Sequence, residues 1–264
     1  MIATGTDTDV SIVRRRGGSA ANVAASAAAT GAPVRFIGRV GSDAIGAVLV
    51  DELSASGVDV RVQSEGRTAT IVVLVDSDGE RSMLPDRAAA TELDAVSEDA
   101  LNGVTWLHVP AYSLVVEPLA STTTSAIRRV QHNRGTVSID VSSVAIIDEF
   151  GIERFSEMIT DLGPDIAFCN RDESLKLGVE SRKGLAGVEL TIVKSGAEET
   201  VAYCGGKVVA TVQPPPLADV RDTTGAGDAF AAGFIVAYMN SDDVVAAIEA
   251  AHKSAAQLLM HHSP

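Results

Sequence analysis

The stretch "DTTGAGDAF", Asp222 to Phe230, places two aspartates, two threonines and two glycines ahead of the apolar run "AAGFIVAYM". A loop that runs into a helix beginning near Gly225 can aim the N–H groups of residues 225 to 228 at one anion. Gly225 and Gly227 bring no side chains into the way, and the helix dipole puts its positive end there. Asp228 then falls in the first helical turn, where a carboxylate is electrostatically favoured. This pattern predicts phosphoryl transfer: the turn stabilises charge on the transferring group, and Asp228 accepts the proton of the attacking hydroxyl. Standing alone, "GAGD" reads equally well as a plain glycine turn with an acidic residue behind it.

A second stretch, "GGSAANVAASAAATGA" from Gly17 to Ala32, sets paired glycines before an alanine-rich helix. Asn22 is the one amide on its first turns. An amide both donates and accepts, as recognition of adjacent sugar hydroxyls requires. The alternative is that Asn22 caps or solvates a closely packed helix.

The elements that must position these residues follow from an alternation of β-branched runs and longer helical patterns. "VRFIGRV", "WLHV", "TVSIDV", "DIAFC" and "LTIVK" read as strands, with "AIGAVLVDELSASG" and "PLASTTTSAIRRVQ" as intervening helices. Such alternation predicts βαβ units on a mainly parallel sheet with helices on both faces. "TVAYCGGKVVATV" (Thr200 to Val212) predicts a hairpin turning at Gly205–Gly206, and Thr68 to Leu84 a second hairpin around "DSDG". The strand-like "VSIVRRR" at 10–16 is expected to join the second hairpin in a small sheet. Ser241 is expected to cap the last helix, with Asp242 and Asp243 in its first turn.

Composition narrows the partners. The chain has 264 residues, 46% apolar and 4% aromatic, and a formal charge of −14 from 21 basic and 35 acidic side chains. That charge argues against a nucleic-acid or anionic membrane surface, while leaving room for a phosphate held by backbone N–H groups. The two cysteines, Cys169 and Cys204, match neither a disulfide framework nor a zinc spacing. No run approaches the about 18 apolar residues of a membrane span, and "MIATGTDTDV" has no secretory pattern. A single cytoplasmic α/β domain is expected.

Taken together the two stretches are far more specific, and the chain resembles the ribokinase-like, or phosphofructokinase-B, family of carbohydrate kinases. "GGSAANVAASAAATGAPVRFIGRVGSDAIG" is similar to the family's N-terminal signature and "DTTGAGDAFAAGF" to its C-terminal one. "NRDE" (Asn170 to Glu173) and "VKSG" (Val193 to Gly196) fall between them in the family's order. The resemblance implies a three-layer α/β/α fold with a mainly parallel central sheet and a small β-sheet lid, formed here by about 10–16 and 67–85. It implies an ATP-dependent phosphotransferase acting on a hydroxyl of a small sugar or sugar acid of the ribose, fructose or 2-keto-3-deoxygluconate type.

By the same resemblance Asp228 is the catalytic base, and Gly225, Ala226 and Gly227 form the anion hole. Gly18 and Asn22 contact the sugar. Asn170 and Glu173 organise the Mg²⁺ and phosphate region through water. Lys194, Ser195 and Gly196 line the nucleotide, and His252 stands where the family often meets the adenine, though it reads equally as an ordinary helix residue. Asp43 in "VGSDAIG" is expected to serve structure. A homodimer through the lid is a further expectation.

Two departures stand out. The family begins with a strand carrying a sugar-binding aspartate, whereas the sixteen residues before Gly17 fit a lid strand; a core strand encoded upstream of Met1 is therefore expected. At the other end, Asp222 keeps the place of a monovalent-cation (K⁺) residue, but the chain lacks the glycine-alanine turn that supports the cation. Two other readings are a nucleoside kinase, disfavoured by the scarcity of aromatics, and a non-catalytic sugar- or nucleotide-binding regulator, disfavoured by Asp228. No P-loop or dinucleotide fingerprint is present.

Overall fold

A computed structural model describes residues 5–7, 9–75, 81–218, 220 and 222–261. The chain enters through an irregular segment and forms α1 (Ser19–Ala28), β1 (Arg35–Val40), α2 (Ala44–Ala55) and β2 (Asp59–Ser64). The hairpin β3 (Thr70–Val75) and β4 (Arg81–Asp86) follows, then α3 (Glu98–Leu101) and β5 (Trp106–Pro110). Next come α4 (Leu119–His132), β6 (Thr136–Asp140), α5 (Val144–Phe150), α6 (Ile152–Leu162) and β7 (Ile166–Asn170). The last third contains α7 (Arg171–Leu177), α8 (Val179–Arg182), β8 (Leu190–Lys194), β9 (Thr200–Cys204), β10 (Lys207–Val212), α9 (Ala226–Ser241) and α10 (Val244–His261).

The main sheet has the order β10-β9-β8-β7-β6-β5, parallel from β5 to β8 and antiparallel at β9 and β10. Its parallel strands are apolar on both faces because helices cover both. One face buries Ile127, Val137, Ile139 and Phe155 under α4 to α6; the other buries Phe168, Ile192, Phe230 and Phe234 under α9 and α10. Gly233 lets α9 and α10 touch, since a Cβ there would meet Ser254 Oγ at 2.5 Å. The Gly205–Gly206 turn has positive φ at both residues, 56° and 74°, as a two-residue hairpin requires.

β1 and β2 pair in parallel as a separate two-stranded sheet. Helix α1 contacts both β1 and β5, and the Arg35 guanidinium donates to the carbonyls of Ala100 and Asn102, both at 3.1 Å. These contacts join the smaller sheet to the start of β5.

The expected strand at 10–16 does not form: residues 9–18 are irregular, and Ile12 is 87% exposed. Arg14 and Arg15 give the segment ionic partners, Glu52 and Asp222, in place of a ladder. The hairpin at 70–86 is present as a two-stranded ribbon, while its "DSDG" turn lies outside the described residues. Ile71, Val72, Val73, Met83 and Leu84 are exposed on it. Asp43 ties its base to α2. It caps the helix by accepting from Gly46 N–H at 2.8 Å, and it accepts from both the N–H and the hydroxyl of Thr68, at 2.8 and 2.5 Å. These bonds, led by the Thr68 hydroxyl, hold its pKa down at about 2. The cap of α10 also differs from expectation. Asp243 accepts from the N–H groups of Val245 and Ala246, whereas Ser241 closes α9 and bonds back to Ala237. Among the described residues no helix is long and apolar enough to cross a membrane.

Candidate active site

The motif residues collect at the carboxyl ends of β6, β7 and β8 and at the N-termini of α1 and α9, the edge where open α/β sheets bind ligands. Register brings this about: Asn170 pairs with Lys194 across β7 and β8, and Asp140 pairs with Phe168 across β6 and β7.

Gly225 adopts a left-handed conformation, φ 81°, that turns the chain into α9. A side chain there would also press on Leu258 at 3.3 Å. The Ala226 N–H, expected in the anion hole, is instead taken by the Thr223 carbonyl at 3.1 Å, and Gly227 and Asp228 follow in the first turn of α9, where N–H groups ordinarily lack an acceptor within the helix. Gly227 leaves the approach clear, since a Cβ on it would stand 3.3 Å from Lys194 Nζ.

Asp228 is held from α1. Ser19 Oγ–H donates to its Oδ1 at 2.7 Å and Asn22 Nδ2–H to its Oδ2 at 2.9 Å. Gly18, φ 95°, is the residue before α1, and its carbonyl takes the Asn22 N–H at 2.9 Å. Burial pushes the Asp228 pKa above the usual carboxylate range; the bonds from Asn22 and Ser19 oppose this, and the Asp140 charge adds to it. The carboxylate is therefore oriented, ionisable and more basic than one in water.

Lys194 Nζ lies 2.6 Å from Asp140 Oδ2, and both side chains are largely buried. Burial alone would pull the ammonium pKa down, but the Asp140 charge and hydrogen bond, with Glu173 beyond, hold it above its ordinary value. Lys194 thus sits between a carboxylate on the sheet and the glycine turn of α9. Ser195 and Gly196 make the turn after β8, with Gly196 at φ 63° and the Ser195 carbonyl accepting from Glu198 at 3.0 Å.

Asn170 and Glu173 form a capping box on α7. The Asn170 side chain accepts from Glu173 N–H at 2.9 Å, and Glu173 accepts from the backbone and side-chain N–H groups of Asn170, both at 2.8 Å. Burial pushes the Glu173 pKa up to about 7, against the Asn170 N–H bond and with help from the Asp140 charge. Both its oxygens are engaged, and no group of three acidic, histidine or cysteine side chains able to hold a metal occurs among the described residues. The donor set fits a divalent ion touched through water and not a closed cage.

The other expected residues stand apart. His252 lies in the core, 6% exposed, with Nε2 at 2.9 Å from Thr200 Oγ1 and its ring edge-on to Phe230. Asp222 accepts from Arg15 at 2.9 Å and from Thr224 N–H at 2.9 Å, which makes it a brace for the loop before α9. Cys169 is buried, and burial pushes its thiol pKa up.

Three residues of this constellation were not singled out from the sequence: Ser19, Asp140 and Arg16. Arg16 Nη1–H donates to Asn22 Oδ1 at 3.2 Å. The legible signal for Asp140 is a charged residue ending the apolar strand "TVSID".

Known proteins resemble the chain over most of its length. The profile of the pfkB family carbohydrate kinases matches residues 3–264. A fructokinase of Klebsiella pneumoniae is 32% identical over 233 residues, 83% of this chain and 75% of its own. An ATP-dependent ribose-1-phosphate kinase of Halopiger xanaduensis is 31% identical over 246 residues, 89% of this chain and 77% of its own. Among solved structures, the adenosine kinase from Sinorhizobium meliloti is similar with a TM-score of 0.83 at 27% identity, covering 90% of this chain and 76% of that one. A probable sugar kinase from Rhizobium etli shares the fold with a TM-score of 0.85 at 24% identity, over 92% and 77% of the two chains. From its two signatures, its three-layer fold and these relatives, the chain belongs to the pfkB family of carbohydrate kinases.

Proposed function

We propose that the chain transfers the γ-phosphoryl group of ATP to a hydroxyl of a small sugar, with Asp228 as the base. The observation that carries this is the seating of Asp228. A half-buried carboxylate with a raised pKa stands in the first turn of α9 and is aimed by Ser19 and Asn22 from the other signature. The acceptor oxygen attacks phosphorus as its proton passes to Asp228, and the bond from phosphorus to the ADP oxygen breaks. The N–H groups at the start of α9 and the Lys194 ammonium balance the charge on the moving group. Mg²⁺, when bound with the nucleotide, would neutralise phosphate charge, with Glu173 and Asn170 reaching it through water. Lys194, Ser195 and Gly196 form the nucleotide side and Gly18 and Asn22 the sugar side.

The hairpin β3–β4, pinned at its base by Asp43 and Thr68, serves as a lid that excludes water, which competes with the sugar for the phosphoryl group. Its exposed aliphatic residues also support pairing of two copies through the lid. The relatives at 31 to 32% identity are named for fructose and ribose 1-phosphate, and one at 26% for 5-dehydro-2-deoxygluconate. An adenosine acceptor, suggested by one solved structure, has less support because the described lid strands carry no aromatic ring on which a base would stack. A coupled ADP-release assay over ribose, fructose, 2-keto-3-deoxygluconate and adenosine tests the reading. A sugar-dependent rate is expected, and release with adenosine alone would overturn it.

A further inference from the structure

The arginine run beside the site is not uniform in its partners. Arg14 pairs with Glu52 at 2.5 Å and Arg15 with Asp222 at 2.9 Å. Arg16, half-buried between Gly17 and the others, has no carboxylate within ion-pair distance among the described residues. Among the described residues its one hydrogen bond goes to the neutral oxygen of Asn22 at 3.2 Å. Glu52 and Asp228 act on it only at longer range, and each already has its own partners: Glu52 has Arg14, and Asp228 has Ser19 and Asn22. Burial lowers the Arg16 pKa more than these two charges restore it.

A guanidinium carries five N–H donors in a planar fork, and it is shaped for two-point contact with a carboxylate or phosphate. A partly desolvated cation that uses one donor on a neutral amide is costly until an anion completes it. Asn22 links this cation directly to Asp228, so Arg16 stands at the same amide that aims the base. The chain as a whole carries −14, and a fixed local cation would offset its repulsion of an anionic substrate.

We propose that Arg16 binds an anionic substituent of the acceptor, a carboxylate or a phosphate, so that the sugar phosphorylated here is a sugar acid or a sugar phosphate and not a neutral sugar. This rests on the reading of Asp228 as the base that faces the acceptor. Arg16 is a specificity residue; the proton still goes to Asp228.

The test is calorimetric binding and ADP release with the wild-type chain, Arg16→Gln and Arg16→Lys. The acceptors are fructose, fructose 6-phosphate, ribose, ribose 1-phosphate and 2-keto-3-deoxygluconate, so the phosphate and carboxylate arms separate the two sources of the anion. The wild type should bind at least one anionic acceptor at least ~10-fold more tightly than its neutral counterpart or, for the acid, than fructose. Arg16→Gln should abolish that preference by weakening anionic acceptors at least ~10-fold more than neutral ones, and Arg16→Lys should keep part of it. Arg16→Lys also keeps the test open should Arg16→Gln melt early. Neutral sugars bound as tightly as anionic ones, or an equal loss on both in Arg16→Gln, would overturn the proposal. Phosphorylation of a neutral sugar independent of Arg16 would overturn it while leaving the kinase reading intact. Arg16-dependent binding of an anionic sugar without ADP release would uphold Arg16 and contradict the kinase reading.

Discussion

Asn22 and Asp228, 206 positions apart in the chain, are joined by a hydrogen bond of 2.9 Å in which the amide Nδ2–H donates to the carboxylate. The bond fastens the first turns of α1 to those of α9 and lowers the pKa of Asp228 against the upward push of burial. Removing it should raise that pKa further. Asn22→Ala is therefore expected to move the acidic limb of the pH profile of kcat/KM to higher pH, because the base must be ionised to work. Sugar affinity should fall by roughly 1–3 kcal/mol while ATP affinity stays near normal. An unchanged acidic limb would show that Asn22 does not act on Asp228.

Lys194 and Asp140 form a buried pair, and breaking a buried pair from one side leaves an uncompensated charge. Lys194→Met should cost about 3–5 kcal/mol in urea unfolding. The double variant Lys194→Met/Asp140→Asn should recover most of that loss, since the amide oxygen introduced at position 140 can still accept from the Ser142 N–H, as Asp140 does. Its turnover should remain poor, because the cation beside Gly227 is gone. Recovery of turnover together with stability would assign Lys194 a structural role only.

Glu173 supplies a pH-dependent signature. Its folded pKa of about 7 lies above the ordinary 4.5, so the native state holds a proton that the unfolded chain releases. Stability from this group is present below the unfolded pKa and is lost as pH rises through about 7, a change on the order of 3 kcal/mol. The unfolding free energy of the wild type minus that of Glu173→Gln, measured from pH 5 to 8, should fall along this interval, whatever constant offset the altered capping box adds. Taking the difference removes the opposite contribution of His108 and His252, whose pKa values burial lowers and which therefore stabilise the fold as pH rises. A difference that rises with pH across the interval would refute the raised pKa.

Much of the architecture was legible because its cause is local. The parallel strands are covered by helices and so appear as short, mostly apolar, β-branched runs, and Gly205–Gly206 announces a turn that favours positive φ. The arrangement of Asp228 was half legible: its place behind a glycine turn is written in nine residues, but its partners Ser19 and Asn22 come from the other end of the chain. Asp140 was missed for the same reason, since it owes its place in the site to Lys194, 54 positions away. Arg16 stands only six positions from Asn22 and was missed because the run that it ends reads as a strand. Val10 to Arg16 misled because β-branched residues suggest a strand, while the fold uses the arginines as ionic ties to Glu52 and Asp222. Asp243 took the capping role from Ser241 because α9 runs through Ser241 and Asp242 leaves the helix in a left-handed turn.

The most direct test of the whole account is Asp228→Asn, which keeps the size of the side chain and removes its ability to take a proton. Single-turnover phosphorylation of the best acceptor should slow by at least ~10²-fold, as loss of a positioned base does. Calorimetric affinities for ATP and for the sugar should stay within a few-fold of wild type. Near-normal turnover in Asp228→Asn, with the protein folded and both ligands bound, would contradict the assignment of Asp228 as the base.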